Sequence, residues 1–210
     1  PILVVGGGPV GSRKAEAFAP FGPRIVMVAK EPSARARELA ARGVVELHER
    51  PFTDADLDEP LLVIAATNDR ALDEHIKAQC DARRIPCNVV DIPELCSFIV
   101  PSIIRRGELM VTISTDGTCP SYSKYQRRRM EACCFPEGCE RMLHAVAAAR
   151  EELKGALGEG MDDEEKFECL RGLVEDELPA KLDEEGEEAA TAFAKARIHE
   201  IVAERRKDEG

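Results

Sequence analysis

A glycine-rich turn close to the start of the chain limits the possible folds more than any other feature. The sequence reads Gly-Gly-Gly-Pro-Val-Gly at positions 6–11, and the spacing of Gly6, Gly8 and Gly11 matches G-x-G-x-x-G. The turn follows the apolar run 2–5 and opens an amphipathic segment, a context in which this pattern binds a dinucleotide pyrophosphate at a helix N-terminus. We expect Gly6 to permit the tight turn, Gly8 to let the backbone approach the phosphates, and Gly11 to allow close packing of helix on strand. A glycine-rich turn without a ligand is the alternative.

The first hundred residues alternate β-prone apolar runs with amphipathic segments. The expected strands are 2–5, 24–29, 44–47, 61–66 and 85–90. The expected helices are 10–19, 33–42 and 70–83. Nearly continuous apolar strands of this length are typical of a parallel sheet covered by helices on both faces. With right-handed crossovers, the pattern predicts an α/β, Rossmann-like, doubly wound parallel sheet.

The residues after the second expected strand bear on the choice of nucleotide. Glu31 can accept hydrogen bonds from a ribose 2′-hydroxyl and would repel the 2′-phosphate of NADP, which favours NAD as the cofactor. The neighbouring cation, Lys30, argues in the other direction. If the Glu31 side chain points into solvent, backbone contacts from Lys30 and Glu31 would hold the ribose instead.

Polar residues end the fourth and fifth expected strands, at the edge where open α/β sheets bind their ligands. Thr67 and Asn68 follow the fourth strand, and we expect both to contact the nucleotide. Asn68 or Asp69 also fits the role of a helix cap. Asp91 follows the fifth strand, where a carboxylate beside a nicotinamide can accept a proton while a hydride leaves the substrate. A simple turn residue is the equally weighted alternative for Asp91.

The strand–helix alternation ends near residue 101. The next two β-prone runs, 98–104 and 109–114, are joined by residues 105–108, which predicts an antiparallel hairpin. From residue 122 onward the composition is helical, with breaks expected at 135–136, 155–160, Pro179 and Gly186. The sequence thus divides into a dinucleotide-binding domain at 1–101, a hairpin and helix at 102–134, and a helical C-terminal domain at 135–210 that ends in a charged helix, 187–207.

The distribution of charge points to an anionic ligand. The formal net charge of −11 argues against binding to nucleic acid or to an anionic membrane surface. Residues 102–134 reverse this sign, with six Lys or Arg against three Asp or Glu. We name the Lys and Arg residues of this segment the basic island; they include Arg105, Arg106, Lys124 and Arg127. Guanidinium groups suit a substrate rich in carboxylates, whereas exposed helix charges or salt bridges within a dimer are the alternative.

The sequence contains no signature of a membrane protein or of a secreted one. Its longest apolar runs are far shorter than the roughly 20 residues that a membrane-spanning helix needs, and no basic-then-apolar leader opens the 210 residues. We therefore expect a cytoplasmic protein. Because an apolar run begins at residue 2, we also expect further residues before Pro1.

The eight cysteines and four histidines do not predict a metal site. Three cysteines between positions 80 and 96 lie in or beside apolar segments, where a reduced thiol packs as a small hydrophobe. Cys133, Cys134 and Cys139 form a tighter group, but they lack a paired C-x-x-C or a suitably placed histidine. The histidines are scattered, so we expect them to be structural or on the surface.

Four stretches, read together and in order, resemble the precorrin-2 dehydrogenase family. They are ILVVGGGPVGSRK at 2–14, AATND at 65–69, CNVVD at 87–91 and FIVPSIIRRG at 98–107. The family includes the N-terminal module of siroheme synthase and stand-alone enzymes that are also sirohydrochlorin ferrochelatases. The resemblance extends to about residue 131 and is far more specific than the glycine pattern alone.

The resemblance implies an enzyme that oxidises precorrin-2 to sirohydrochlorin with NAD. It also implies a homodimer, with the hairpin and helix at 102–134 as the dimerisation segment. In some members a ferrous ion is then inserted, and a cobaltous ion is the open alternative as metal substrate. The resemblance implies that the nucleotide is held at Pro9, Val10, Lys30 and Glu31 and that Asp91 is catalytic. The substrate-binding residues expected from the family and from the charge pattern are Asn88, Arg105, Arg106, Thr115, Lys124 and Arg127.

One segment departs from the family pattern. After the last hairpin strand the family has Ser-x-Gly-Gly-x-Ser-Pro, whereas residues 114–120 read Ser-Thr-Asp-Gly-Thr-Cys-Pro. Thr115 stands where some members have a serine linked to chelation or phosphorylation, so metal insertion stays open. The resemblance does not extend to the cysteine group at 133–139 or to the acidic tail. The alternatives to a dehydrogenase are a module that senses NAD(H), and a chelatase or tetrapyrrole carrier without redox activity.

Overall fold

The computed structural model describes residues 1–175 and 178–208. Four positions of the segment expected at 135–210, namely 176, 177, 209 and 210, lie outside the described residues. The chain forms two compact units. The first unit contains Pro1–Val100 and Asp116–Thr118, and the second contains Pro101–Thr115 and the chain from Cys119 onward. The division into three segments that the sequence suggested stays a prediction.

The first unit is built on a five-stranded parallel sheet. Its strands are β1 (Ile2–Val5), β2 (Ile25–Val28), β3 (Glu46–His48), β4 (Leu62–Ala65) and β5 (Cys87–Val89). Their order is β3-β2-β1-β4-β5, so β1 lies between β2 and β4 and the chain reverses its direction of winding there. The Rossmann-like class predicted from the sequence is confirmed, and this point of reversal is where such sheets bind ligands.

Helices α1 (Pro9–Phe18), α2 (Ala34–Ala41) and α3 (Arg70–Arg83) accompany this sheet. Successive side chains of a strand point to opposite faces, and β1 shows this directly. Leu3 and Val5 belong to one hydrophobic cluster, while Ile2 and Val4 belong to a second one. Both faces of the sheet are therefore buried, which explains the nearly continuous apolar strands of the sequence.

The hairpin of the second unit begins later in the chain than the sequence suggested. Strands β6 (Ser102–Arg106) and β7 (Leu109–Ile113) pair antiparallel. The expected start at residue 98 is wrong because Pro101 has no backbone N–H to donate to a strand ladder. Arg105 and Arg106 lie in β6 and not in the turn, which consists of Gly107 and Glu108. Gly107 has a φ of 55°, and glycine at this position is typical of a two-residue hairpin turn.

Four α-helices follow the hairpin in the described second unit. They are α4 (Pro120–Cys133), α5 (Glu140–Lys154), α6 (Asp163–Glu175) and α7 (Leu178–Asp208). The apolar side chains of α5, α6 and α7 form a core of their own, in which small alanines of α5 and α7 take part. Pro179 is the second residue of α7, and Gly186 interrupts α7 with a φ of 85°. Over residues 1–175 and 178–208, no helix combines the length and the apolar character that crossing a membrane requires.

Candidate functional site

The carboxyl edge of the parallel sheet opens into a cavity of about 480 Å³. Every residue that the sequence assigned to cofactor binding except Gly11 lines it: Gly6, Gly8, Pro9, Val10, Lys30, Glu31, Thr67 and Asn68. The walls come from the turn after β1, the end of β2 and the end of β4. The cavity thus lies at the point of winding reversal, where a dinucleotide would cross the sheet.

The glycines of the turn differ in the space around them. Gly6 has a φ of 109°, and a Cβ added there would lie 2.2 Å from the carbonyl oxygen of Ala66. A Cβ on Gly11 would lie 2.0 Å from the carbonyl oxygen of Gly6. A Cβ on Gly8 would meet no atom within 4 Å. Gly6 and Gly11 are therefore required by the chain itself, whereas Gly8 leaves the cavity side of the turn open to a ligand.

Gly7 is a residue whose importance the sequence reasoning missed. A Cβ on Gly7 would lie 2.8 Å from the Cβ of Ala29, which follows β2. Its carbonyl oxygen accepts a hydrogen bond of 2.9 Å from the backbone N–H of Ser33, the N-cap of α2. Gly7 thus joins the turn to the next strand–helix connection, and this role depends on residues that are distant in the sequence.

The N-terminus of α1 points to an anionic ligand. Gly8 is the N-cap and has no side chain to cap the helix, and Pro9 occupies the first turn. No acidic residue lies in this first turn. The N–H groups of a first helical turn lack partners within the helix and carry partial positive charge. With the open space beside Gly8, the turn fits the pyrophosphate of a dinucleotide.

The side chains after β2 do not distinguish between NAD and NADP. Lys30 and Glu31 are both exposed and both line the 480 Å³ cavity. A cation and a carboxylate are thus both available at the position expected for the adenosine ribose.

A second cavity, of about 230 Å³, adjoins the first at the ends of β4 and β5. Val10, Ala66, Thr67 and Asn68 line both cavities. Asp91 lines the smaller one. The glycine turn and Asp91 therefore face adjoining spaces at one edge of the sheet.

Asp91 is exposed and has a φ of 61°, a backbone conformation that Asp adopts more readily than most residues. It lies in the turn between β5 and a short 3-10 helix, Pro93–Leu95. Asp91 is therefore a turn residue that also lines the cavity, so this placement is compatible with both alternatives for Asp91. Unusual backbone angles of this kind gather at functional sites, where the surrounding structure holds them.

A buried carboxyl group, absent from the sequence-based assignment, also lines the smaller cavity. Asp73 on α3 is 4% exposed, and its Oδ1 accepts a hydrogen bond of 2.7 Å from the Thr67 hydroxyl. Burial raises the pKa of Asp73, and the Thr67 bond acts in the opposite direction. Asp73 shares a helix face with the buried residues Ile76 and Cys80, and an acid at helical spacing from apolar residues was the signal that could have found it.

The helix-cap interpretation of this segment applies to Asp69. Asp69 Oδ1 accepts hydrogen bonds from the N–H groups of Ala71 and Leu72 at 3.1 and 3.2 Å. The exposed side chain of Asn68 lies on the wall that the two cavities share. Asp69 is therefore the helix cap, and ligand binding by Asn68 stays a prediction.

The side chain of Asn88 forms a hydrogen bond within the first unit. It is 6% exposed, and its Nδ2 donates a hydrogen bond of 2.9 Å to the carbonyl oxygen of Phe98. This bond ties β5 to the segment that leads out of the sheet. A part for Asn88 in substrate binding stays a prediction.

The cations of the basic island all lie in the second unit. Residues 116–118, within the same stretch of sequence, belong to the first unit. Arg106 lies 3.9 Å from Glu131, and Arg127 also pairs with this carboxylate. Arg105 Nε donates to the Gly107 carbonyl oxygen at 3.2 Å, and Lys124 is exposed. Arg106 and Arg127 thus share one carboxylate, and Arg105 has a backbone partner. Binding of substrate carboxylates by these four cations stays a prediction.

Thr115, expected at the substrate, has a local role. Its Oγ1 accepts a hydrogen bond of 3.2 Å from the backbone N–H of Cys119, the N-cap of α4. The hydroxyl therefore closes the loop between β7 and α4.

The cysteines are free thiols in the structure. The hydrogen bond with Cys80, followed by burial, raises the pKa of the Cys87 thiol, which agrees with its expected role as a buried hydrophobe. Cys133 and Cys134 are exposed, with 3.0 Å between their Sγ atoms.

Comparisons with known proteins agree with this geometry. A protein family described as "Putative NAD(P)-binding" matches residues 1–102. The siroheme synthase of Thioalkalivibrio sulfidiphilus is 40% identical over 155 residues, which are 74% of this chain and 32% of that protein. Siroheme synthase 2 of Cronobacter sakazakii is 33% identical over 203 residues, which are 97% of this chain and 44% of that protein. The chain thus spans about a third to less than half of these relatives.

A solved structure extends the similarity to the whole fold. SirC, a precorrin-2 dehydrogenase, superposes with a TM-score of 0.73 at 23% sequence identity, covering 93% of this chain and 94% of SirC. At this identity the superposition establishes the fold, while the siroheme synthases establish the sequence relationship. The chain belongs to the family that comprises the N-terminal module of siroheme synthase and the SirC precorrin-2 dehydrogenase, with an NAD(P)-binding domain.

Proposed function

We propose that this chain oxidises precorrin-2 to sirohydrochlorin with NAD⁺. The observation that carries the proposal is the pair of adjoining cavities at the carboxyl edge of the sheet. One of them is bordered by the glycine turn and the other by Asp91, and Thr67 and Asn68 line both. The choice of precorrin-2 as the substrate rests on the similarity to siroheme synthases and to a precorrin-2 dehydrogenase.

The residues of the larger cavity fit a dinucleotide. The open side of Gly8 and the N-terminus of α1 would hold the pyrophosphate, and Lys30 and Glu31 would contact the adenosine ribose. Thr67 and Asn68 would then contact the other half of the cofactor. When bound, NAD⁺ supplies the acceptor for the hydride that the tetrapyrrole loses.

Oxidation of the tetrapyrrole also releases a proton, and we assign its acceptance to Asp91. Asp91 is exposed and lines the smaller cavity, so its carboxylate is accessible to a bound substrate. A positioned carboxylate contributes by general base catalysis as well as by orienting the substrate. Arg105, Arg106, Lys124 and Arg127 would bind substrate carboxylates, and the family resemblance favours a homodimer.

The proposal is tested with purified protein, precorrin-2 and NAD⁺, by following the absorbance of NADH. In Asp91→Asn we expect kcat to fall about 100-fold or more, the scale of a lost general base. Asparagine tolerates the positive φ, so the turn should persist and the Kd for NAD⁺ should change little. Glu94→Gln, which removes an exposed carboxylate three residues further on, is the matched control and should keep its activity.

Two results would contradict the proposal. Wild-type protein that binds NAD⁺ but forms no NADH from precorrin-2 would instead favour a module that senses the nucleotide. Full activity in Asp91→Asn would remove Asp91 from the mechanism.

A further inference from the structure

We propose that the carboxylate of Asp73 makes this site select NAD⁺ over NADH. The inference rests on the proposed function and adds a property of the site that the NAD(P)-binding fold alone does not supply. It concerns the discrimination between the two redox states of one cofactor, which differ in charge at the nicotinamide ring.

The topology assigns the two halves of the cofactor to different parts of the sheet edge. The adenosine half lies toward β2, where Lys30 and Glu31 line the larger cavity. From the glycine turn, the remaining half must extend across the end of β1 toward β4 and β5. The 230 Å³ cavity lies there, and it shares Thr67 and Asn68 with the larger one. The nicotinamide ring therefore belongs in or beside the smaller cavity.

Asp73 presents a negative charge to this cavity in a fixed position. Its side chain is 4% exposed, and the Thr67 hydroxyl holds Oδ1 at 2.7 Å. The carbonyl oxygen of Asp69 is a second acceptor for the Thr67 hydroxyl at 3.0 Å, and the contact with Asp73 is the shorter of the two. A buried charge acts through a lower effective dielectric than an exposed one, so its interaction with a nearby cation is stronger.

The other charged groups around the cavity do not cancel this charge. Asp91 adds a second carboxylate to the wall, and Asp69 lies one helical turn before Asp73. Arg70 is the one cation among the described lining residues of this cavity, and its Nε donates to Glu74 at 2.8 Å. The wall is therefore net negative.

The difference between the two ligands lies in the ring. The nicotinamide of NAD⁺ carries a positive charge, whereas the dihydronicotinamide of NADH is neutral. A carboxylate beside the ring therefore stabilises the oxidised form and not the reduced one, and this difference in affinity is the selectivity. For an enzyme that consumes NAD⁺, such a preference also favours release of NADH.

A purely structural role for Asp73 makes a different prediction. If Asp73 only holds the Thr67 hydroxyl, asparagine at this position would serve equally, because its Oδ1 accepts the same hydrogen bond. Asp73→Asn keeps the size and the bond and removes only the charge. The variant therefore separates the two roles.

The test measures the Kd of NAD⁺ and of NADH by calorimetry, for wild type and for Asp73→Asn. We expect wild type to bind NAD⁺ several-fold more tightly than NADH. In the variant the Kd of NAD⁺ should rise about tenfold, a change of about 1.4 kcal/mol, while the Kd of NADH stays within twofold. Asp81→Asn, the same substitution at an exposed position of α3, is the matched control and should leave both constants unchanged.

Equal affinities for the two forms in wild type would overturn the inference without any variant. An unchanged ratio in Asp73→Asn would overturn it as well and leave Asp73 as a support for Thr67. These results leave the proposed function intact, because NADH formation from precorrin-2 tests that function separately. If wild type binds neither nucleotide, the proposed function fails and the inference fails with it.

Discussion

At the scale of single residues, the candidate site contains a carboxyl group that does not favour the stability of the fold. Asp73 is the clearest case, because a carboxyl group that is 4% exposed on an otherwise apolar helix face opposes folding when it is ionised. Thr67 offsets part of this penalty with one hydrogen bond. Functional sites commonly retain such destabilising groups.

Asp73→Asn should therefore stabilise the protein at neutral pH. The raised pKa means that the neutral form of Asp73 is favoured in the folded state, a contribution that is complete below the unfolded pKa and is lost as pH rises through the folded pKa. We expect the variant to melt a few degrees higher at pH 7.5, the scale of about 1 kcal/mol, and the gain to shrink near pH 4. Thermal denaturation at the two pH values checks this, and a lower melting temperature at pH 7.5 would contradict it.

Gly8 and Gly11 allow a paired experiment on the turn. Gly11→Ala forces a Cβ to within 2.0 Å of a backbone oxygen, so we expect a loss of about 1–3 kcal/mol of unfolding free energy. Gly8→Ala meets no protein atom within 4 Å and has a φ of −74°, so its stability should be unchanged. The Cβ of that variant would occupy the approach of the phosphates and should raise the Kd of NAD⁺ about tenfold. Denaturant unfolding and calorimetry separate the two effects; equal NAD⁺ affinity in Gly8→Ala would argue against binding at this turn.

At the scale of elements, one histidine links three parts of the second unit. His144 on α5 lies 2.9 Å from Glu187 on α7 and 3.3 Å from Glu108 in the hairpin turn. Glu187 and then Glu108 raise the pKa of His144. The two contacts connect the hairpin to the helices through a group that titrates near neutral pH.

His144→Gln should therefore change stability in a pH-dependent way. Because the folded pKa is raised, the stabilising contribution of His144 is complete below the unfolded pKa of about 6.5 and is lost as pH rises through the folded pKa. We expect the variant to lower the melting temperature at pH 6 more than at pH 9. His199→Gln, on α7 and 3.7 Å from Glu152, is the control. An equal effect of His144→Gln at both pH values would show that packing, and not charge, is lost.

The elements also show where local patterns suffice for prediction. Helix α3 begins and ends where the pattern of the sequence placed it, because Asp69 caps it and its apolar spacing is regular. The hairpin differs because Phe98 and its neighbours are apolar without being in a strand. The carbonyl oxygen of Phe98 accepts a hydrogen bond from the side chain of Asn88, in the first unit. Apolar periodicity reports burial and does not identify the partner.

At the scale of the whole molecule, the two units each have a hydrophobic core of their own. Independent cores are typical of separate domains. The proposed nucleotide site lies within the first unit, as do Asp73 and Asp91. The basic island and the acidic helices lie in the second unit. The acidic net charge of the chain thus coexists with a local cationic region, as the sequence indicated.

The sequence by itself determined the parallel sheet, the glycine turn and the edge of the sheet at which the candidate binding residues lie. Each depends on neighbouring residues, since strand periodicity, helix caps and the lack of a Cβ act over a few positions. Only the tertiary structure decided that Asp73 is buried against Thr67, that Gly7 accepts a hydrogen bond from Ser33, and that Arg106 and Arg127 share Glu131. Burial and pairing arise when elements pack, and packing joins residues that no local pattern relates.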